Sequence, residues 1–180
     1  MKSFNKKESG FTLIELLVVI AIIGLIASVV LVNLEDARNK GKNSAKNQLV
    51  GEYMTAIELY RISNNDEGYP NENTPSTYYC LGEPTGESCL SGAYPGNSDL
   101  NDEVKTFIPG PPADDTPIPY GGSDLKGIFY KCSENTPCGK YEIRWYLTGS
   151  NQECIRGVVG NNSIPNITRC IFDSETELEV

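Results

Sequence analysis

A single carboxylate lies inside the most apolar stretch of this 180-residue chain. Glu15 follows Leu13 and Ile14 and stands before an apolar run that ends near Val32. An ionisable group in a membrane helix costs about 2.5–3.5 kcal/mol at the centre and less near an end, so it indicates a function and needs a partner. Either Glu15 reaches the aqueous interface by itself, or it binds a cation that another group supplies.

A cleavage between Gly10 and Phe11 would supply that cation, because the new chain would begin with the α-amine of Phe11. In a bundle of identical helices offset along the axis, Glu15 of one copy then meets the Phe11 amine of another. Two charged groups that are each costly in a medium of low dielectric constant satisfy one another there. The same pair would fix the axial register of packing, so these residue types favour a subunit that assembles with its own copies.

The segment from Phe11 to Val32 has the length and composition of a membrane-spanning helix. Its 22 residues extend about 33 Å as an α-helix, close to the ~30 Å thickness of the hydrocarbon core. Lys2, Lys6 and Lys7 precede it and favour a cytoplasmic amino terminus. A secretory signal would have a shorter apolar core closed by a small-x-small cleavage site, and no such site closes this segment.

Beyond Leu34 the apolar residues recur at spacings of three and four, which predicts a helix with one face packed on a domain. We therefore expect one helix from about Thr12 to about Ser63, bent near a glycine. Residues 69–126 are rich in proline and glycine and are predicted to be mostly loop. Alternation of apolar and polar residues predicts a hairpin and a weaker third strand, at residues 127–132, 140–147 and 155–159.

The sequence from Gly10 to Glu15, Gly-Phe-Thr-Leu-Ile-Glu, stands behind a basic leader and ahead of an apolar helix. In this context it resembles the prepilin processing signal of type IV pilins and type II secretion pseudopilins. The resemblance implies cleavage after Gly10 by prepilin peptidase, a membrane aspartyl protease, and N-methylation of Phe11 by the same enzyme. It also implies that Glu15 supports subunit recruitment and register.

The same resemblance implies an α+β fold in which a long N-terminal helix packs on a small antiparallel sheet, to which the cysteines discussed below add disulfide-bonded loops. It divides the chain into a cytoplasmic leader, a transmembrane and filament-core helix, an amphipathic helix that continues into the head, and an extracytoplasmic loop-rich β head (residues 1–10, 11–33, 34–63 and 64–180). The precursor would be held in the inner membrane by a single span, with its N-terminus in the cytoplasm. After assembly it would lie in an extracellular or periplasmic filament.

All six cysteines follow residue 79, in the loop-rich part of the chain: Cys80, Cys89, Cys132, Cys138, Cys154 and Cys170. An even number of cysteines downstream of a membrane anchor indicates disulfides and an oxidising compartment. Many pairings are open, and we expect the sequential one, since it closes three short loops. A zinc site is the rival interpretation, although the chain has no CxxC pair and no histidine. The usual pseudopilin has few cysteines or none. The six cysteines therefore argue against a secretion pseudopilin and are compatible with a pilus subunit.

The loop ahead of the predicted hairpin resembles the pseudopilin loop that can bind calcium. Asp114, Asp115 and Asp124 could supply oxygen ligands, but calcium takes about six to eight ligands and no EF-hand spacing is present. We expect these loop carboxylates to be solvated and the chain to bind no cofactor. Calcium binding is the alternative.

The net charge of −9 argues against a nucleic-acid partner, since binding a polyanion needs a basic surface. The local cluster of Arg38, Lys40, Lys42 and Lys46 is predicted to be a solvated helix face beyond the membrane. The chain has no histidine and no phosphate-loop or dinucleotide motif, so no catalytic set emerges and we expect no enzyme.

The leading hypothesis is a structural subunit of a type IV pilus-like filament. By the resemblance, its partners are prepilin peptidase, copies of itself and other pilins in a helical filament, and an inner-membrane assembly platform with a separate ATPase. The alternative is a minor or tip subunit, or a type II secretion pseudopilin, whose head binds a surface, DNA or a secreted substrate.

Overall fold

The computed structural model describes residues 10–65, 67–71, 77–83, 88–108, 114, 116–133, 137–157 and 164–175. Apart from Gly10, the expected leader lies outside this part. The chain divides into two compact units, Met1–Arg38 and Asn39–Val180, and the second is termed the head unit. The helices are α1 (Leu13–Ser63) and α2 (Ser98–Lys105), and the strands are β1 (Tyr79–Leu81), β2 (Ser88–Cys89), β3 (Tyr94–Pro95), β4 (Ile118–Tyr120), β5 (Ser123–Leu125), β6 (Ile128–Cys132), β7 (Tyr141–Thr148) and β8 (Ile167–Asp173).

In the first unit, the apolar part of α1 presents its side chains to the surroundings. Large apolar residues from Phe11 to Leu31 are between 49% and 88% exposed. By length and composition, α1 is able to cross a membrane. A surface this apolar is stable in lipid or against other protein rather than in water.

In the head unit, one face of α1 packs on a four-stranded antiparallel sheet with strand order β1-β6-β7-β8. Along β7, alternate side chains are fully buried in the layer between helix and sheet: Tyr141, Ile143, Trp145 and Leu147. The helix contributes apolar residues at spacings of three and four: Val50, Tyr53, Met54, Ala56 and Ile57. Burying a large apolar side chain is worth about 1.5–3 kcal/mol, so this layer is the main apolar core.

The predicted hairpin is confirmed as β6 and β7, with Phe129 opposite Arg144. The expected third strand at residues 155–159 is wrong, because β8 is the neighbour of β7 on its other side. Ile155–Gly157 is a 3₁₀ turn in which Arg156 has φ 59° and ψ 27°, a left-handed conformation that a strand does not permit. Residues 158 and 159 lie outside the described part.

The segment predicted to be mostly loop contains more regular structure than its proline and glycine content indicates. The strands β2 and β3 form one small antiparallel pair, and β4 and β5 form another. Asn97 caps α2, since its side chain accepts hydrogen bonds from the backbone N–H groups of Asp99 and Leu100. Leu100 and Val104 bury one face of that helix. An asparagine cap followed by this spacing is a helix signal that the loop prediction overlooked.

Three disulfides join the cysteines of the head unit in sequential pairs, with these Cα–Cα distances: 5.8 Å for Cys80–Cys89, 5.9 Å for Cys132–Cys138 and 5.8 Å for Cys154–Cys170. The first disulfide joins β1 to β2, the second closes the loop between β6 and β7, and the third joins the chain before the 3₁₀ turn to β8. With every cysteine in a disulfide, no thiolate is left for the rival zinc site.

Two asparagines of α1 satisfy polar groups of the sheet that the helix covers. Asn43 accepts a hydrogen bond from the backbone N–H of Thr148 at 2.9 Å and donates one to the Thr148 carbonyl at 2.8 Å. Asn47 accepts from the indole N–H of Trp145 at 2.9 Å and donates to the carbonyl of Glu153, also at 2.9 Å. These bonds fix the helix along β7, because hydrogen bonds are directional whereas apolar contacts are not.

Asn47→Ala should lower the free energy of unfolding of the full chain in detergent by about 1–3 kcal/mol, since the buried indole N–H of Trp145 loses its acceptor. Trp145 is the sole tryptophan, so its fluorescence during urea titration reports the unfolding of the head unit. Gln48→Ala, at an exposed neighbouring position, is the matched control and should change that free energy by less than about 0.5 kcal/mol. Equal stability of the Asn47 variant and the unaltered chain would contradict the assigned role.

Candidate functional site

The site at the amino end of α1 centres on Glu15. Its Oε2 accepts hydrogen bonds from the backbone N–H of Thr12 at 2.9 Å and from the Thr12 hydroxyl at 2.8 Å. The Thr12 hydroxyl in turn accepts from the backbone N–H of Glu15 at 3.3 Å. This reciprocal pattern is a capping box, in which side chains satisfy N–H groups that the start of a helix leaves open.

Thr12 is a helix-capping residue that the interpretation of Glu15 as an isolated charge overlooked. A threonine followed three residues later by a glutamate is the sequence signal for a capping box, and Thr12-Leu-Ile-Glu15 has it. Within the described residues, Oε1 of Glu15 has no hydrogen-bond partner. The carboxylate therefore keeps one oxygen available for a cation from outside the chain.

The two residues at the predicted cut precede the helix. Gly10 and Phe11 lie outside α1, and the Phe11 side chain is 88% exposed. A Cβ atom added at Gly10 would meet no atom within 4 Å. The peptide bond between them is therefore accessible, and its cleavage would place an α-amine about one helical turn before Glu15.

A second charged site lies in the head unit, where the ammonium of Lys46 meets the carboxylate of Asp114. The Nζ–Oδ2 distance is 2.7 Å, and each side chain is only 3% exposed. Asp114 also accepts hydrogen bonds from the backbone N–H of Gly127 at 2.9 Å and from the N–H and hydroxyl of Thr116. Lys46 donates to the carbonyl of Thr116 at 3.2 Å. This cluster of four residues, termed the Lys46 latch, fastens the chain ahead of β4 and β6 to α1.

Burial and pairing act against each other on the Lys46 ammonium. Burial lowers the pKa of this group, and the negative charge of Asp114 beside it opposes the shift. Two buried charges of this kind are stable together, because each compensates the other and the remaining carboxylate lone pairs are hydrogen-bonded. Removal of either partner leaves the other charge uncompensated.

The prediction that Lys46 belongs to a solvated basic cluster is wrong. Arg38, Lys40 and Lys42 are exposed, whereas Lys46 is buried against Asp114. The spacing of the four cations along the helix gives no sign of this difference, since it depends on a carboxylate far along the chain. Only the three-dimensional contact separates Lys46 from its neighbours.

The expectation that Asp114 is a solvated loop carboxylate is wrong, because its side chain is buried in the latch. Both oxygens of Asp114 are engaged by Lys46, Gly127 and Thr116. Asp124 lies exposed in β5, and Asp115 is outside the described residues. In the described part of the chain, no three histidine, cysteine, aspartate or glutamate side chains are grouped closely enough to hold a metal ion. For this loop, calcium binding stays the untested alternative to solvated carboxylates.

Comparison with known proteins finds similarity that includes the amino-terminal sequence. Residues 5–31 match the family model described as the prokaryotic N-terminal methylation motif. Over 60 residues the chain is 40% identical to the type IV wide pilus major component PilA4 of Thermus thermophilus, a match that covers 33% of this chain and 46% of the relative. Over 68 residues it is 40% identical to the type II secretion system core protein G of Escherichia coli, which covers 37% of this chain and 45% of the relative.

The core protein G of Aeromonas hydrophila is 35% identical over 61 residues, or 34% of this chain and 43% of that relative. The chain thus spans less than half the length of the curated relatives it matches. No solved structure matches it. Similarity therefore supports kinship with both pilins and pseudopilins, and the α+β architecture rests on the long helix, the antiparallel sheet and the three disulfides described above.

Lys46→Met should lower the free energy of unfolding by about 3–5 kcal/mol, because Asp114 becomes a buried charge without its partner. Urea titration of the full chain in detergent, followed by Trp145 fluorescence, measures the loss. Lys42→Met removes the same charge from an exposed position and should shift that free energy by less than about 0.5 kcal/mol. Adding Asp114→Asn to the Lys46 variant should restore part of the stability, and no recovery would contradict the latch.

Proposed function

We propose that this chain, a relative of type IV pilins and type II secretion pseudopilins that carries the prokaryotic N-terminal methylation motif, is the precursor of a structural filament subunit. The observation that supports this most is the arrangement at its amino end. Glu15 lies on an exposed apolar helix, about one turn after the accessible Gly10–Phe11 bond. Its work is assembly and not catalysis of a reaction.

The first step is insertion and processing. The basic leader stays in the cytoplasm, the apolar part of α1 spans the inner membrane, and the head unit crosses to the oxidising side, where its disulfides form. Prepilin peptidase then cuts after Gly10 and methylates the new amine of Phe11. An N-methyl amine keeps its positive charge at neutral pH, so it stays a partner for a carboxylate.

The second step moves the apolar helix from lipid into a bundle of like helices. Exchanging lipid for similar helix faces changes apolar burial little, so apolar contact does not decide at which height two copies meet. The contact between Glu15 of one copy and the Phe11 amine of another decides it, since that contact forms at one axial offset only. A head-to-tail contact repeated in this way gives an open fibre. Its extension is assigned to a separate ATPase on an inner-membrane platform.

A minor or tip subunit, or a secretion pseudopilin, is the second candidate. The similarity to core protein G in two bacteria favours it as much as the similarity to PilA4 favours a pilus. The head unit would then bind a surface, DNA or a secreted substrate. Abundance separates the candidates, because a major subunit dominates sheared filaments while a tip subunit is scarce.

In cells with an active prepilin peptidase, the membrane-bound chain should begin at N-methylated Phe11 and lack the six hydrogens of three disulfides. The intact mass of the purified protein measures both the amino-terminal processing and the number of disulfides. Gly10→Val should leave the chain uncut, because the peptidase must accommodate the residue before the cut, and a Cβ there disturbs nothing within the chain. Asn5→Ala in the leader is the control and should be processed. An unaltered chain that still begins at Met1, or that is cut beyond Val32, would contradict the proposed function.

Glu15→Gln should lower the yield of sheared filaments at least about tenfold, equivalent to ~1.4 kcal/mol per contact. The amide keeps the size of the side chain and can still accept from Thr12, so the substitution removes the charge alone. Processing and the membrane level of the subunit should stay unchanged. Glu35→Gln, which neutralises an exposed carboxylate further along α1, is the matched control. Filaments at the usual yield from the Glu15 variant would rule out the assembly role.

A further inference from the structure

Five charged residues follow the apolar part of α1 in a short stretch that alternates from acidic to basic. They are Glu35, Asp36, Arg38, Lys40 and Lys42, and every one of them is exposed. In the described part of the chain, none of the five has an ion-pair partner. Their charges are therefore available to a second copy of this chain.

The spacing of two of these residues repeats the spacing of the amino-terminal pair. Phe11 precedes Glu15 by four positions, and Asp36 precedes Lys40 by four positions. A neighbour whose Phe11 amine lies level with Glu15 is displaced by four residues, or about 6 Å along a helix axis. The same displacement brings Asp36 of that neighbour level with Lys40. Each contact then joins opposite charges. The neighbour supplies the cation at Glu15 and the carboxylate at Lys40.

The local spacing on α1 selects the same two residues. Asp36 and Lys40 are four residues apart, or about 1.1 turns of α-helix, so they lie on one side of it. Arg38 and Lys42 have the same spacing, but both are cations. Lys42 follows Lys40 by two residues, a rotation of about 200°, and faces the opposite side of the helix.

We propose that adjacent copies form a second ion pair, between Asp36 of one and Lys40 of the other, in register with the pair at Glu15. This inference rests on the proposed function, because it needs copies offset along a common axis. An exposed ion pair contributes little by itself, but every copy in a filament repeats it. Asp36 and Lys40 would thus fix the axial register of neighbouring copies just beyond the apolar part of α1, as Glu15 does at the start of the helix.

Charge reversal tests the pair through filament yield in the full-length protein. Asp36→Lys and Lys40→Asp, expressed singly, should each reduce the yield of sheared filaments roughly three- to tenfold, since attraction between copies becomes repulsion. The double variant with both substitutions should recover. Lys42→Asp makes the same charge change on the opposite side of the helix and should leave the yield within about twofold of the unaltered chain.

Expression of the two single variants together separates a contact between copies from one within a copy. Each single variant carries two like charges at positions 36 and 40, so mixing cannot restore a pair within one chain. Between chains, the lysine introduced by Asp36→Lys can meet the aspartate introduced by Lys40→Asp, and filaments of mixed composition should return toward the usual yield. No recovery on co-expression, while the unaltered chain makes filaments, would overturn this inference alone. Absence of filaments from the unaltered chain would overturn the proposed function together with it.

Discussion

The rest of the molecule depends on one unfavourable placement, a carboxylate on a helix that otherwise suits lipid. The Thr12 hydroxyl accepts a hydrogen bond from the backbone N–H of Glu15, and Thr12 donates two hydrogen bonds to one carboxylate oxygen of Glu15, which hold that side chain at the start of α1. A neutral cap supplies no opposite charge, so the cost of the carboxylate in a membrane would persist in an uncut chain. Under the proposed function, cleavage after Gly10 would create the missing cation on every copy. Filament formation would then be favoured by relief of a local electrostatic cost, while apolar burial would stay nearly constant.

The head unit follows the same rule at two places, where a buried charge or polar group meets a partner on another element. Lys46 is buried with Asp114, and Asn47 covers the indole N–H of Trp145. These contacts join the loop-rich part of the head unit to the part of α1 that lies in the same unit. The disulfides add constraint where short strands bury little apolar area.

The helix, the hairpin and the amino-terminal methylation motif could be predicted from the sequence because each has a local signal. The apolar run and the motif at Glu15 are contiguous, and the alternation around Trp145 has period two. Two classes of feature could not be obtained in this way. The partner of Lys46 lies far along the chain, and the conformation of Arg156, which excludes a strand there, depends on its surroundings. The helix capped by Asn97 did have a local signal, which the surrounding prolines and glycines obscured.

The most direct test of the central claim is the distance between the Glu15 carboxylate and the Phe11 amine in assembled filaments. Solid-state NMR on filaments mixed from chains labelled with 15N at Phe11 and chains labelled with 13C at the Glu15 carboxyl reads only contacts between copies. The account predicts a 15N–13C dipolar coupling that corresponds to about 4 Å, the range of a direct ion pair. Well-ordered mixed filaments without that coupling would show that the two groups do not meet between copies, and would contradict the account.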